Sequence, residues 1–259
     1  MDKRPVVFLD SGIGGIPYCR AFMSRNPQEP LVYLADRAHF PYGERSREEL
    51  LEILKALVAE MVAREDPKIV VVACNTATVS AVSSLREFFP QLPFVGTVPA
   101  VKPAALGTKT GKIGVLGTRR TINDPYIAEL AARYGPGCSI VPIAAPELVD
   151  FVEHRYAQAG ERERQEAVRP WLEQFRSAGA DAVVLGCTHF LFLLKEFREG
   201  AAADMVIYDS VEGITRRIGS LLDDDGGKLR ADSNTTPSRR LYVTGAEGLV
   251  LQDRAWDLS

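Results

Sequence analysis

The chain has 259 residues, a formal net charge of −3, 46% hydrophobic and 25% charged residues, which suits two modest soluble domains or one large one. That balance gives no reason to expect a nucleic-acid or anionic-membrane partner, and no apolar run approaches the roughly 20 residues of a membrane helix. The opening Met-Asp-Lys-Arg is followed by only Val6–Leu9 before Asp10, too short an apolar run for a secretory signal.

Buried strands and amphipathic helices alternate along the chain. Val6–Leu9 is the first strand, and the turn Asp10-Ser11-Gly12-Ile13-Gly14-Gly15 follows. Pro17 occupies the last position of a G-x-G-x-x-G pattern, so a dinucleotide loop is a weak assignment and plain turn glycines an equal one. Leu31–Ala35 is a second strand ending at Asp36, and Pro41-Tyr42-Gly43 reads as a turn. Ser46 with Glu49 forms a capping box opening a helix with the stripe Leu50, Leu54, Leu57, Val58, Met61 and Val62. Strand Ile69–Ala73 leads into Cys74 and a helix carrying Val79, Val82 and Leu85.

Pro99 and Pro103 mark a lobe junction after Phe94–Thr97. Strand Ile113–Leu116 precedes Gly117-Thr118, with Thr121 as a helix cap. Strand Ser139–Ile143 comes next, then a helix from Pro146 bearing Glu153 and His154, where Glu153 fits a solvated face as well as a site. Arg162 to Arg176 is a charged surface helix. Strand Ala182–Gly186 ends at Cys187-Thr188-His189, and a helix follows with Phe190, Leu193, Leu194 and Phe197. Met205–Tyr208 is a strand, Asp223 to Ser238 reads as a loop, and Leu241–Val243 is a last strand packing back on the first lobe. Continuous apolar strands between helices imply an α/β fold with open, mostly parallel sheets.

One internal similarity organises the chain. Ile69-Val-Val-Val-Ala-Cys-Asn-Thr-Ala77 resembles Asp181-Ala-Val-Val-Leu-Gly-Cys-Thr-His189. A single strand-turn-helix unit repeated this way suggests two pseudo-symmetric lobes facing each other, with the site between them. Each cysteine falls at a strand's carboxyl end and a helix N-terminus, where unpaired N–H groups favour a thiolate and cradle a carboxylate. Either cysteine alone is best read as a small buried hydrophobe. The matched pair points to two thiol acid/base groups. Cys19, Cys74, Cys138 and Cys187 show no C-x-x-C spacing, which disfavours a catalytic disulfide and fits reduced thiols in the cytoplasm. Cys187 and His189 have no neighbours completing a zinc set.

The segments Phe8-Leu-Asp-Ser-Gly-Ile-Gly-Gly15, Pro41-Tyr42-Gly43, Ala73-Cys-Asn-Thr-Ala77 and Gly186-Cys-Thr-His189 resemble, in order, the signatures of bacterial glutamate racemases of the aspartate/glutamate racemase superfamily. The resemblance runs from about Val6 to at least Ser210, and more loosely to Leu241–Gly245. It implies interconversion of L- and D-glutamate for peptidoglycan, with no cofactor and no metal. Cys74 and Cys187 would be the acid/base residues, assisted by Asp10 and His189, with Asp36 and Glu153 as further acidic helpers. Ser11, Tyr42, Gly43, Asn75, Thr76, Thr121, Thr188 and His189 would hold the substrate, and Pro41 would line the site. The second lobe would be an insertion, giving 1–98 plus 208–259 and 99–207 as the lobes, and a homodimer is expected. Arg37, Ala145 and Phe190 depart from the residues usual in the family. An aspartate racemase of the same superfamily, or a non-catalytic regulatory protein on this fold, is the alternative. Loss of a cysteine would mark the latter, and both cysteines are present.

Overall fold

The computed structural model describes residues 2–231, 236–245 and 248–252. By contacts the chain divides into two compact units, Met1–Thr97 with Val211–Ser259, and Val98–Ser210. Among the described residues no helix is long and apolar enough to cross a membrane.

The first unit begins β1 (Val6–Asp10), α1 (Ile16–Arg25), β2 (Leu31–Ala35), α2 (Arg47–Glu65), β3 (Ile69–Val72), α3 (Asn75–Phe88) and β4 (Phe94–Gly96). The second holds α4 (Val101–Gly107), β5 (Lys112–Gly117), α5 (Arg119–Asn123), α6 (Pro125–Tyr134), β6 (Ser139–Ala144), α7 (Pro146–His154), α8 (Glu161–Ser177), β7 (Ala182–Leu185), α9 (Leu194–Gly200) and β8 (Val206–Tyr208). The chain returns to the first unit with α10 (Val211–Gly227), β9 (Arg239–Gly245) and β10 (Gly248–Gln252).

The first sheet has the order β10-β9-β2-β1-β3-β4, and the second β6-β5-β7-β8. Every pairing is parallel except the β9–β10 hairpin. This is the α/β class that continuous apolar strands predict. All of β1 and β2 is buried. One face of the first sheet packs Val7, Leu9, Val32, Leu34, Val70 and Val72 against Leu50, Leu54, Val58 and Met61 of α2.

Local signals act where expected, with instructive exceptions. Ser46 Oγ accepts the Glu49 N–H at 3.1 Å and caps α2. The reciprocal half of the capping box is replaced, because the Glu49 carboxylate pairs with Arg45. The buried stripe ends at Met61; Val62 is exposed. The helix expected after His189 is instead a tight 3-10 turn over Thr188–Leu193, and α9 starts only at Leu194. The loop expected from Asp223 is helical to Gly227. Ile214, Ile218 and Leu222, all buried and four apart, hold α10 in place, and positive φ at Gly226 and Gly227 ends it. Residues 232–235 of that expected loop lie outside the described residues. The strand expected at Leu241–Val243 is the longer β9, which pairs in parallel with β2, and it is followed by β10, which the sequence reading lacks.

At the opposite end of the first sheet from the strands' carboxyl termini, Lys68 is wholly buried. Its Nζ donates to Glu29 Oε2 at 2.5 Å and to the Leu229 carbonyl at 2.7 Å. This pair ties the segment after α10 to the base of the sheet. Removing one partner of a buried pair strands the other charge. Lys68→Ala should therefore lower the unfolding free energy by about 3 kcal/mol in urea titration. A loss under about 1 kcal/mol would show that water or Arg230 takes over at Glu29.

Candidate active site

In an open parallel sheet, functional groups gather beyond the carboxyl ends of strands, where the strand order reverses. In the first unit β2 lies on one side of β1 and β3 on the other. Asp10, Asp36, Cys74, Thr97 and Thr244 all stand at those ends. Cys74 caps α3 from extended backbone (φ −142°, ψ 122°) and is buried. Behind it, Asn75 Nδ2 donates to the Thr97 carbonyl at 2.7 Å, while buried Asn75 Oδ1 has no hydrogen-bond partner among the described residues. Thr76 is buried beside them in sequence. Asp10 is fully buried, and its Oδ1 accepts the Ser11 N–H at 2.6 Å.

The glycine turn after β1 has a packing role. A Cβ at Gly15 would stand 2.8 Å from Ala73 Cβ. The Tyr33 hydroxyl donates to the Gly12 carbonyl at 2.8 Å and accepts the Gly15 N–H at 3.1 Å. The turn is thus pinned close to the residue preceding Cys74.

Asp36 is held by three side chains. It is fully buried and accepts the Tyr42 hydroxyl at Oδ2 (2.6 Å) and the Thr244 hydroxyl at Oδ1 (2.5 Å). His39 Nδ1 lies 2.9 Å from both oxygens. Burial, followed by the charge of Asp36, the hydrogen bond to it, and the charges of Cys74 and Asp10, pushes the Tyr42 hydroxyl well up. It therefore remains a donor. Tyr42 and Gly43 lie in the short 3-10 turn Tyr42–Glu44, with Pro41, which follows a cis peptide bond, at its N-cap, as the turn reading expects. The Tyr42 and Gly43 N–H groups have no backbone acceptor among the described residues. Arg37 opens the preceding 3-10 turn and is exposed.

The second unit repeats the plan. β6 lies on one side of β5 and β7 on the other. Cys187 follows β7 as Cys74 follows β3. It caps the 3-10 turn from the same extended backbone (φ −139°, ψ 135°). A Cβ at Gly186 would meet the Leu116 carbonyl at 3.0 Å. Cys187 Sγ is 3.8 Å from His189 Nδ1, and His189 Nε2 is 2.8 Å from Glu153 Oε1. The Glu153 side chain is only 1% exposed, which rules out the solvated-face alternative. His154 is the exposed member of that pair of neighbours. Thr118, not Thr121, caps α5: its Oγ1 accepts the Thr121 N–H at 3.2 Å and lies 3.0 Å from Thr121 Oγ1. Thr188 is buried, as is Phe190.

The structure thus gathers Asp10, Ser11, Asp36, Pro41, Tyr42, Gly43, Cys74, Asn75 and Thr76 in the first unit. In the second it gathers Thr121, Glu153, Cys187, Thr188 and His189. His39, Thr97, Thr118 and Thr244 were not anticipated. The register Ala35↔Val243, which carries Thr244 to Asp36, has no local sequence mark. The other two cysteines differ in setting. Burial, with the Asp10 charge adding, pushes the Cys19 thiol well up, which keeps it in the protonated form. Cys138 is half-buried. None of the four is in a disulfide. Among the described residues no three His, Cys, Asp or Glu side chains are grouped to hold a metal ion.

Residues 19–217 match the family model for Asp/Glu/hydantoin racemases. The glutamate racemase of Sphingopyxis alaskensis is 42% identical over 223 residues, which cover 85% of this chain and 82% of that one. That of Limosilactobacillus reuteri is 35% identical over 257 residues, 99% of this chain and 94% of its own. Among solved structures, Escherichia coli glutamate racemase, crystallised with L-glutamate and the activator UDP-MurNAc-Ala, superposes with a TM-score of 0.80 at 34% identity. The match covers 94% of this chain and 90% of that one. The sheet order, the two matched cysteine turns and these similarities agree: the chain belongs to the Asp/Glu/hydantoin racemase family, and its activity is that of a glutamate racemase.

Proposed function

We propose that racemisation runs by two-base proton exchange, with Cys74 and Cys187 acting on opposite faces of one glutamate. The observation that carries this is topological. Each thiol follows the first strand beyond its own sheet's order reversal and caps the next turn from the same extended backbone. One sulfur is thiolate and takes the α-proton. The other is thiol and returns a proton to the opposite face, so the two exchange states with each turnover. The α-proton is weakly acidic, so donors must stabilise the negative charge that develops toward the α-carboxylate. Ser11, Thr76, Thr121 and Thr188 supply hydroxyls. The N–H groups of Tyr42 and Gly43 suit a carboxylate, and the buried acceptor Asn75 Oδ1 suits the substrate ammonium. Pro41 completes the substrate-binding set of the first unit.

Each cysteine has its own proton partner. With Glu153 ionised, His189 carries its proton on Nε2 and presents the Nδ1 lone pair toward Cys187. It accepts the thiol proton, and Glu153 stabilises the resulting imidazolium. Asp10 serves Cys74, and Asp36 supports that side through Tyr42. Cys187 serves L-glutamate and Cys74 serves D-glutamate. No pyridoxal phosphate or metal takes part. The D-glutamate supplies peptidoglycan synthesis in the cytoplasm, and the working form is a homodimer. Bound L-glutamate and D-glutamate in the Escherichia coli and Francisella tularensis glutamate racemases support the substrate assignment.

Cys74→Ser and Cys187→Ser should each slow racemisation by roughly a thousandfold, the scale of a lost acid/base group. With a glutamate carrying a β-leaving group, proton abstraction is followed by elimination, and no reprotonation is needed. Cys74→Ser should then retain elimination from the L-analogue only, and Cys187→Ser from the D-analogue only. Equal preference in both variants would point to a single mobile base.

Glu153→Gln should slow elimination from the L-analogue by about tenfold or more and leave the D-analogue nearly untouched, because only Cys187 is served by His189. An equal effect on both enantiomers would make Glu153 a general structural group.

Activity should persist after dialysis against EDTA and in protein stripped of pyridoxal phosphate. Loss on chelation with recovery on metal addition would overturn the two-thiol mechanism.

A further inference from the structure

We propose that Thr244, at the end of β9, is a positioning residue for the substrate-binding turn, acting through Asp36 and the Tyr42 hydroxyl. The proposal rests on the assignment of Tyr42 and Gly43 to substrate binding.

The Tyr42 hydroxyl donates to Asp36 Oδ2 at 2.6 Å. Burial and neighbouring negative charge keep it protonated. What Tyr42 offers a substrate is therefore its backbone N–H, with that of Gly43 beside it. The side chain serves as the anchor of the turn. An anchor is only as fixed as the group it holds. Asp36 sits just beyond β2, and its carboxylate would rotate about its terminal bond unless both oxygens were engaged.

Thr244 engages the other oxygen. Its hydroxyl donates to Asp36 Oδ1 at 2.5 Å and accepts the Ala38 N–H at 2.9 Å. One side chain thus fixes both the carboxylate and the start of the segment leading to Pro41. Thr244 is buried, so water does not readily replace it. His39 Nδ1, 2.9 Å from each Asp36 oxygen, approaches from the half-buried side. Thr244 is the member of the set that the distant end of the chain contributes, 208 residues from Asp36. Pairing of β9 with β2 delivers it: Val243 stands opposite Ala35, so the next residues meet.

A hydroxyl donating to a buried carboxylate contributes on the order of a tenfold change in an equilibrium. Steady-state kinetics of a double-mutant cycle over Thr244 and Tyr42 test the proposal. Thr244→Val keeps the shape and deletes the donor. It should lower kcat/KM for glutamate about tenfold, mostly by raising KM. Thr244→Ser should recover to within about threefold of the parent. In a Tyr42→Phe background, Thr244→Val should cost less than about twofold, because the link to the turn is already cut.

The proposal is overturned if Thr244→Val leaves KM unchanged, if it costs the same factor in both backgrounds, or if Thr244→Ser is as impaired as Thr244→Val. A Thr244→Val chain that does not fold, as judged by circular dichroism, also overturns it by making Thr244 a stability residue. Tyr42→Phe alone separates the two levels. Full activity there shows that the hydroxyl does not anchor the turn and overturns the positioning role, without touching the assignment of the Tyr42 and Gly43 N–H groups to substrate. An impaired Tyr42→Phe with an unaffected Thr244→Val overturns the role of Thr244 only.

Discussion

Strand direction is the constraint on which the rest depends. All pairings in the two sheets are parallel apart from the terminal hairpin. Parallel strands require crossover connections, and apart from β10 every strand's carboxyl end lies at the same end of its sheet. Residues remote in sequence are thereby brought together without any specific attraction between them. In each unit the second strand pairs on one side of the first and the third on the other. The cysteine follows that third strand both times. The common position of Cys74 and Cys187 thus reflects connection order within each sheet.

That geometry creates a problem of buried charge. Asp10 and Asp36 lie at strand ends and Glu153 in the last turn of α7, all with almost no side-chain exposure. A buried carboxylate without donors is costly, and a well-satisfied one is rigid. Here each is met by its own set. Ser11 serves Asp10, three groups from separate places serve Asp36, and His189 serves Glu153. The partners of the carboxylates are the residues that carry the proposed chemistry. Holding the charge and shaping the site are therefore one task.

Small residues set the distances. Ala73 precedes Cys74 and Gly186 precedes Cys187. A side chain at Gly15 would collide with Ala73, and one at Gly186 with the Leu116 carbonyl. In the glycine cluster after β1, ambiguous between a dinucleotide loop and a plain turn, Gly15 is explained by this close approach. Tyr33 completes it from β2 with two hydrogen bonds to the turn.

Local interactions left a plain mark on the sequence. Unbroken apolar runs identified the parallel strands, because both faces are covered. Ser46 marked the start of α2, because capping involves only the nearest residues. The two cysteine turns and their ordered companions identified the family, because a strand, a small residue and a polar cap are contiguous. The expected loop from Asp223 begins only after Gly227, and the expected helix after His189 opens as a 3-10 turn and becomes α-helical at Leu194, because acidic and glycine content, or an apolar stripe, does not fix backbone winding. Thr244 on Asp36, Glu153 on His189 and the packing role of Gly15 were decided only in three dimensions. Those partners are 208 and 36 residues apart for the first two. Their meeting depends on sheet order, register and helix placement, none of which is encoded in the spacing of the residues themselves.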